Sequence, residues 1–237
     1  MIFKQQPINK NIIRNLNNKL FIPYLINENK WKEIYTHSWF KCLIYKYNIK
    51  NKNNSGICGI DIGCKNFVTI YSPSGICFRI IVNKLKINNI LKNKNITYEQ
   101  KDKRINNLIN ELHIQTSRLI CNYFQEIYIG QIYSKDEINS KKFKTTRDNL
   151  KPILSHNKFL NILQNFSNKY KKKLYIVDES FTSKHCGNCG ELKNKFKRIK
   201  DGNDSDRRKF ICDFCNYKLH RDINAARLII IKNKKNL

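Results

Sequence analysis

Acidic side chains are scarce in this chain. Eighteen Asp and Glu stand against 46 Lys and Arg, giving a formal net charge of +28 over 237 residues. Such an excess favours a polyanionic partner, most simply nucleic acid. Lys, Asn and Ile are all abundant, as A/T-rich codons would give, but no rise in acidic residues offsets the lysines. Also lacking is any run approaching the roughly 18 apolar residues of a membrane-spanning helix, so no membrane partner is expected. The N-terminus is polar, and 20–26 is too short and too broken for the apolar stretch of a secretory signal. The nine cysteines are therefore read for an intracellular, reducing compartment, cytoplasm or nucleus. Hydrophobic residues make up 41% of the chain, enough for one sizeable core with small appendages.

Four of the cysteines form two pairs, Cys186-Gly-Asn-Cys189 and Cys212-Asp-Phe-Cys215, with 22 residues between them. Each CxxC forms a tight knuckle that aims two sulfurs at one point, so two pairs close a tetrahedral thiolate site for one structural zinc. A single CxxC would suit a redox pair equally well; the second pair favours zinc, although the intervening loop is slightly longer than usual. Asn216 stands where glycine commonly follows the second knuckle, and Asn tolerates the left-handed backbone. Lys193, Lys195, Lys197, Arg198, Lys200, Arg207, Arg208 and Lys209 crowd the loop, which suits phosphate contact or a solvated hairpin turning at Asp201-Gly202-Asn203-Asp204. Cys42, Cys58, Cys64, Cys77 and Cys121 read as small buried apolar residues.

Periodicity supplies the framework. Residues 1–29 are polar and Asn-rich, with at most a short helical arm. Residues 39–49 alternate as a strand does. Three apolar runs follow, at 56–62, 67–72 and 76–82, punctuated by Gly63 and by Pro73-Ser74-Gly75, which predicts an antiparallel meander. A short basic helix or loop at 84–94 precedes a long helix at 97–125, where Ile105, Leu108, Ile109, Leu112, Leu119 and Ile120 keep helical spacing behind a Thr97-x-x-Gln100 capping box. A strand at 126–133, a charged excursion at 135–151, a helix at 156–170, a strand at 174–177 and a last helix at 222–231 complete the order. The fold class is α/β, a ribonuclease-H-like mixed sheet with an inserted zinc ribbon.

Two acids attract a functional reading. Asp61 interrupts an apolar strand, GICGIDIGCKNF, where a bare carboxylate is costly to bury without a partner or a task. Gly59 and Gly63 beside it leave room for a backbone to come close. Asp222 opens the last helix, where Asp also serves as an N-cap. A phosphodiester nuclease needs carboxylates converging on two Mg²⁺ ions about 3.5–4 Å apart. Lys65, His220, Arg221 and Arg227 flank these acids and suit either phosphate contact or pairing with them. Trp31, Trp39 and Tyr45 suit base stacking or, more ordinarily for an aromatic strand, the core.

GIDIGCKNF, then SFTSKHCGNCG, then CDFCNYKLHRDINAAR resembles the RuvC-like nuclease with inserted zinc ribbon of the TnpB/OrfB family. These are transposon-encoded proteins related to type V CRISPR nucleases and to Fanzor proteins. Three motifs in the family's order, over residues 39–231, carry the resemblance. It implies RNA-guided, Mg²⁺-dependent DNA cleavage by an Asp, Glu, Asp triad, leaving 3′-hydroxyl and 5′-phosphate ends. Asp61 matches the first acid and Asp222 the third. The usual position of the middle Glu, at the end of the strand after the long helix, holds Gly130. A Fanzor-type pattern moves that Glu to just before the ribbon, which selects Glu179, with Asp178 as the alternative. Adjacent strands lie about 4.8 Å apart, so a strand two places from Asp61 is roughly 10 Å away, within reach of a long Glu leaning over a glycine with metal between.

The resemblance also implies an organisation: 1–52 as the remnant of a shortened wedge domain, 53–185 as the first part of the nuclease domain, 186–215 as the ribbon and 216–237 as the nuclease domain's C-terminal helix. Cys186, Cys189, Cys212 and Cys215 would hold zinc, and Asp61, Glu179 and Asp222 two Mg²⁺. The partners implied are DNA and a guide RNA; the oligomeric state is left open. Two further readings stay open, a catalytically inactive DNA- or RNA-binding relic of such an element and a strand-transfer transposase that shares fold and metal logic.

Overall fold

The computed structural model describes residues 7–17, 31–46, 56–64, 66–131, 153–192, 197–198 and 209–233. Ten strands and five helices are named in chain order: α1 (Lys10–Asn17), β1 (Lys32–Thr36), β2 (Phe40–Lys46), β3 (Ile57–Ile62), β4 (Asn66–Ser72), β5 (Ile76–Val82), α2 (Lys84–Lys92), α3 (Tyr98–Tyr123), β6 (Glu126–Gly130), α4 (His156–Lys169), β7 (Lys173–Val177), β8 (Lys197–Arg198), β9 (Lys209–Ile211), β10 (Lys218–His220) and α5 (Arg221–Asn233). The charged excursion at 135–151 lies outside the described residues.

Seven strands form one mixed sheet in the order β1-β2-β5-β4-β3-β6-β7. The predicted meander is present, with β4 antiparallel to both β3 and β5. Strands β6 and β7 then run parallel to β3. Helices cross over between those parallel strands, as parallel connections require. The strand order β5-β4-β3-β6-β7 is the ribonuclease-H-like core, extended on one side by the hairpin β1-β2.

The two faces of the sheet are chemically distinct, and strand alternation makes them so. Cys58, Ile60, Ile127 and Ile129 point to one face and join Ile105, Ile109 and Leu112 of α3 and Phe159, Leu160 and Leu163 of α4 in the main core. Tyr71 and Cys77 point to the other face, against Ile223, Ala226 and Ile230 of α5. The residues between Cys58 and Ile62 on that second face are Gly59 and Asp61. A Cβ at Gly59 would overlap the carbonyl oxygen of Ala226, so the missing side chain is what lets α5 lie directly on β3. The apolar content of both faces makes this a three-layer arrangement around a buried sheet.

The long helix begins as predicted. Thr97 accepts from the Gln100 N–H, and the Gln100 side chain accepts from the Thr97 N–H. One element differs from expectation: β1 is an additional edge strand whose five residues are all exposed. The short helical arm is present as α1, where Ile13, with Ile8 just before the helix, packs against Leu228 and Ile231 of α5. Trp39 is wholly buried, and Trp31 packs edge-on against Tyr45, so Trp39 belongs to the core and is not a stacking platform. Among the described residues, no helix is long and apolar enough to cross a membrane.

Candidate functional site

The parallel strands β3, β6 and β7 end at one edge of the sheet, and ligands of open α/β sheets gather beyond such carboxyl ends. Here that edge opens into a polar cleft of about 210 Å³, lined by Asp61, Ile62, Gly63, Glu179, Thr182, Ser183, Arg221, Asp222 and Ala225. The three carboxylates singled out in the sequence thus share one cleft, although they lie 118 and 43 positions apart along the chain.

Each acid arrives from a different element. Asp61 is the penultimate residue of β3, fixed by its pairing opposite Thr69. Asp222 is in the first turn of α5, not its N-cap as the sequence suggested, because the helix begins at Arg221. It is 5% exposed, and Asn66 at the start of β4 donates to its Oδ2 at 3.0 Å. Asn66 is itself buried. The sequence reading missed it, although it lies within the GCKNF run. Lys65, beside it, lies outside the described residues.

Glu179 comes from the connection after β7. That connection turns tightly: Thr182 N–H donates to the Glu179 carbonyl, Lys184 and His185 N–H donate to the Phe181 carbonyl, and Phe181 adopts φ +65°. A positive φ is strained for a bulky side chain. Glu179 leans back over β6, into space left by Gly130, where a Cβ would overlap its Oε2 and stand 2.9 Å from its Cβ. Burial, reinforced by the neighbouring Asp178 charge, pushes the Glu179 carboxyl up from 4.5 to about 7.

Asp178 is occupied elsewhere. Lys232 of α5 donates to its Oδ2 at 2.6 Å and also bonds the Ser180 carbonyl and hydroxyl. Partial burial acts to raise the Asp178 carboxyl, but the bonds from Lys232 and Ser180 outweigh it and hold it below the usual carboxylate range. Asp178 does not line the cleft.

The cysteines meet as predicted. Sγ atoms of Cys186, Cys189, Cys212 and Cys215 all lie within 4.8 Å of one another. Two of the separations are 3.7 Å, Cys186 to Cys215, and 3.8 Å, Cys189 to Cys212. A tetrahedron of sulfurs with Zn–S near 2.3 Å has edges of about 3.8 Å, so the quartet fits a metal such as zinc. The knuckles repeat one geometry. Gly190 N–H donates to the Cys186 carbonyl and Asn216 N–H to the Cys212 carbonyl, with both Gly190 and Asn216 left-handed, as expected for Asn216. Burial pushes the Cys189 thiol up to about 11, a condition that a divalent cation relieves by taking the thiolate. Among the described residues, this is the one cluster of three or more His, Cys, Asp or Glu tight enough for a single ion; the carboxylates of the cleft do not form such a cluster. The other five cysteines are buried and form no disulfide.

The flanking cations separate cleanly. Arg227 is fully buried and donates to the Gly187 carbonyl at 2.8 Å, so it braces the first knuckle. His220 is buried. Arg221 alone of the three lines the cleft, and it is exposed. Of the basic residues of the ribbon loop, Lys197, Arg198 and Lys209 fall on β8 and β9, while Lys193, Lys195, Lys200, Arg207 and Arg208 lie outside the described residues.

Comparison with known proteins agrees with this architecture. The family model for the Cas12f1-like TNB domain matches residues 156–229. The TnpB-like protein L79 of Acanthamoeba polyphaga mimivirus is 32% identical over 211 residues, which cover 78% of this chain and 38% of that protein. The putative transposase R186 of the same virus is 26% identical, covering 82% of this chain and 44% of that protein. The chain thus spans less than half the length of these curated relatives. In fold, it resembles a chain of the Cas12f1–sgRNA–target DNA complex, with a TM-score of 0.53 at 19% identity over 82% of this chain and 56% of that one. Motif order, the cysteine quartet and these relatives together show that this chain belongs to the TnpB/OrfB family.

Proposed function

We propose that the chain is the nuclease portion of a transposon-associated, RNA-guided DNA endonuclease with the Fanzor-type relocation of its middle glutamate. One observation carries the reading: Asp61, Glu179 and Asp222 line a single polar cleft at the carboxyl end of β3, β6 and β7. Two Mg²⁺ ions bound there would polarise the scissile phosphate and ease deprotonation of the attacking water. Asp61, Glu179 and Asp222 are the residues that would hold them. Asp61 is rigid on a central strand, Asp222 is oriented by Asn66, and Glu179 closes the cleft from the ribbon side. The raised Glu179 carboxyl fits this task, because a divalent cation supplies the charge that its surroundings lack.

Cys186, Cys189, Cys212 and Cys215 would hold a zinc with no open position, so the ribbon has a structural part. The domain boundaries at 52, 185 and 215 and an intracellular setting belong to the same reading. Nucleic-acid partnership is supported by the net charge of +28 and by the relationship to a chain solved with sgRNA and target DNA. In such complexes, guide pairing reads the sequence and the protein reads backbone shape.

The test is cleavage of single-stranded and duplex DNA by the full chain with its co-purifying RNA, which is also sequenced. Mg²⁺-dependent cutting that disappears in Asp61→Ala while nucleic-acid binding persists supports the proposal. A wild-type protein that binds an element-derived RNA but cuts nothing identifies a binding relic instead.

A further inference from the structure

We infer that Arg221 is a catalytic residue of the cleft, its guanidinium taking a non-bridging oxygen of the phosphodiester that the three carboxylates address. This rests on the nuclease reading above. Arg221 lines the cleft with Asp61, Glu179 and Asp222, and its side chain is exposed there. Every other cation described near the site is engaged. Lys232 is held by Asp178 and Ser180, Arg227 by the Gly187 carbonyl, and Lys184 sits 5.3 Å over the Phe181 ring. Arg221 has no hydrogen bond or ion pair among the described residues, so its donors are available to a substrate.

Its place in the helix argues against a merely structural role. Arg221 is the first residue of α5, where the helix dipole is positive and a basic side chain is disfavoured. An anion in the cleft reverses that balance, since it would meet both the guanidinium and the first N–H groups of the helix. Charge counting points the same way. With two divalent ions held by the three carboxylates, the site would carry one net positive charge, which the phosphodiester would cancel. As the water oxygen forms its bond to phosphorus and the P–O3′ bond breaks, one additional negative charge spreads over the phosphoryl oxygens. The proton lost by water is matched by one gained by the departing 3′ oxygen. The transient charge is what Arg221 is placed to neutralise, and a planar fork suits two phosphoryl oxygens.

The experiment compares wild type, Arg221→Ala and Arg221→Lys as full chains with their co-purifying RNA. Three quantities are read: Mg²⁺-dependent DNA cleavage, Ca²⁺-dependent binding of a short oligothymidylate, and the thermal midpoint without metal. Arg221→Ala is expected to lose on the order of 10²–10³-fold in kcat, with the Mg²⁺ midpoint unmoved. Arg221→Lys should recover part of the loss, as a point charge without the fork. The thermal midpoint should stay or rise, since the residue opposes its own helix dipole. Cleavage by Arg221→Ala within about threefold of wild type would overturn the inference, and so would a loss that only follows weakened Mg²⁺ binding. Should wild type cut nothing, the nuclease reading fails separately and the oligonucleotide decides. Affinity about tenfold lower in Arg221→Ala, roughly 1.4 kcal/mol, keeps the phosphate contact; unchanged affinity removes it.

Discussion

Glu179 fills the space that a side chain at Gly130 would need. A Cβ at position 130 would overlap Oε2 of Glu179 and stand 2.9 and 3.0 Å from its Cβ and Cδ. Ile60 pairs with Ile129 across β3 and β6, so Gly130 is the neighbour of Asp61 on the next strand. An acid from position 130 and an acid from position 179 are thus two routes to one place in the cleft, and they exclude each other.

The exclusion predicts a swap. Glu179→Ala should abolish cleavage, and Gly130→Glu alone should also cripple it, by forcing two carboxyl groups into one space. Gly130→Glu combined with Glu179→Ala should cut at least about tenfold faster than either single variant, a non-additive coupling between touching residues. A folded double variant no faster than Glu179→Ala would show that position 130 is not an equivalent route into the cleft.

Much of the frame around this pair was legible in the sequence. The meander β3-β4-β5 follows from period-two alternation broken by Gly63 and by Pro73-Ser74-Gly75, and the α3 cap from Thr97 and Gln100. The cysteine spacing identifies its own partners. Asp61 and Gly59 stand out because a strand buried on both faces has little room for an acid or a missing side chain. β1 was not legible, since all of its residues face solvent and leave no apolar alternation to read. Nor were Asn66, Lys232 and Arg227 assignable, because their partners Asp222, Asp178 and Gly187 lie 40 or more residues away and meet them only through packing.

The Glu179 carboxyl gives a pH signature without metal. Its folded-state value is raised from 4.5 to about 7, so its share of stability is complete below 4.5 and is lost as pH rises through about 7. Thermal melts in a chelator should show wild type falling relative to Glu179→Gln between pH 5 and pH 8, by on the order of 2 kcal/mol. Added Mg²⁺ should restore wild type at pH 8 and do little for Glu179→Gln. Parallel pH curves for the two proteins would contradict the buried, metal-seeking carboxyl.

Asp178 contributes to that raised value as a like charge beside Glu179, while its own oxygens serve Lys232 and Ser180. Asp178→Asn should therefore leave cleavage within about tenfold of wild type at pH 8 and extend it to lower pH, because Glu179 ionises more readily without its neighbour's charge. Loss of activity as deep as that of Glu179→Ala would assign Asp178 to the metals.

Asn66 holds Asp222 through one buried bond. Replacing it by Leu removes a donor from a buried carboxylate, which costs about 1–3 kcal/mol, and loosens the hold on its orientation. Asn66→Leu is expected to lower metal affinity or activity by about 10–100-fold, as loss of an orienting partner does elsewhere. A Mg²⁺ titration of cleavage should show the midpoint shifted upward. An unchanged midpoint with an unchanged rate would leave Asn66 a packing residue.

The cysteine quartet reaches further than its own ribbon. Ile8 N–H donates to His185 Nε2, Arg14 Nε to the Cys189 carbonyl, and both Lys10 and Arg14 pair with Glu191. The first knuckle is thereby the surface on which α1 rests, before α1 touches Leu228 and Ile231. Exposed ion pairs of this kind are worth little by themselves, about 0–1 kcal/mol, so the docking depends on the knuckle keeping its shape. Stripping the metal, or Cys212→Ser, should accelerate hydrogen exchange at 8–17 and 185–191 together, while amides of β3 and β6 remain protected. Restoring Zn²⁺ should reverse the change in the stripped protein but not in the variant. Exchange at 8–17 that ignores the metal would show that α1 is held by α5 alone.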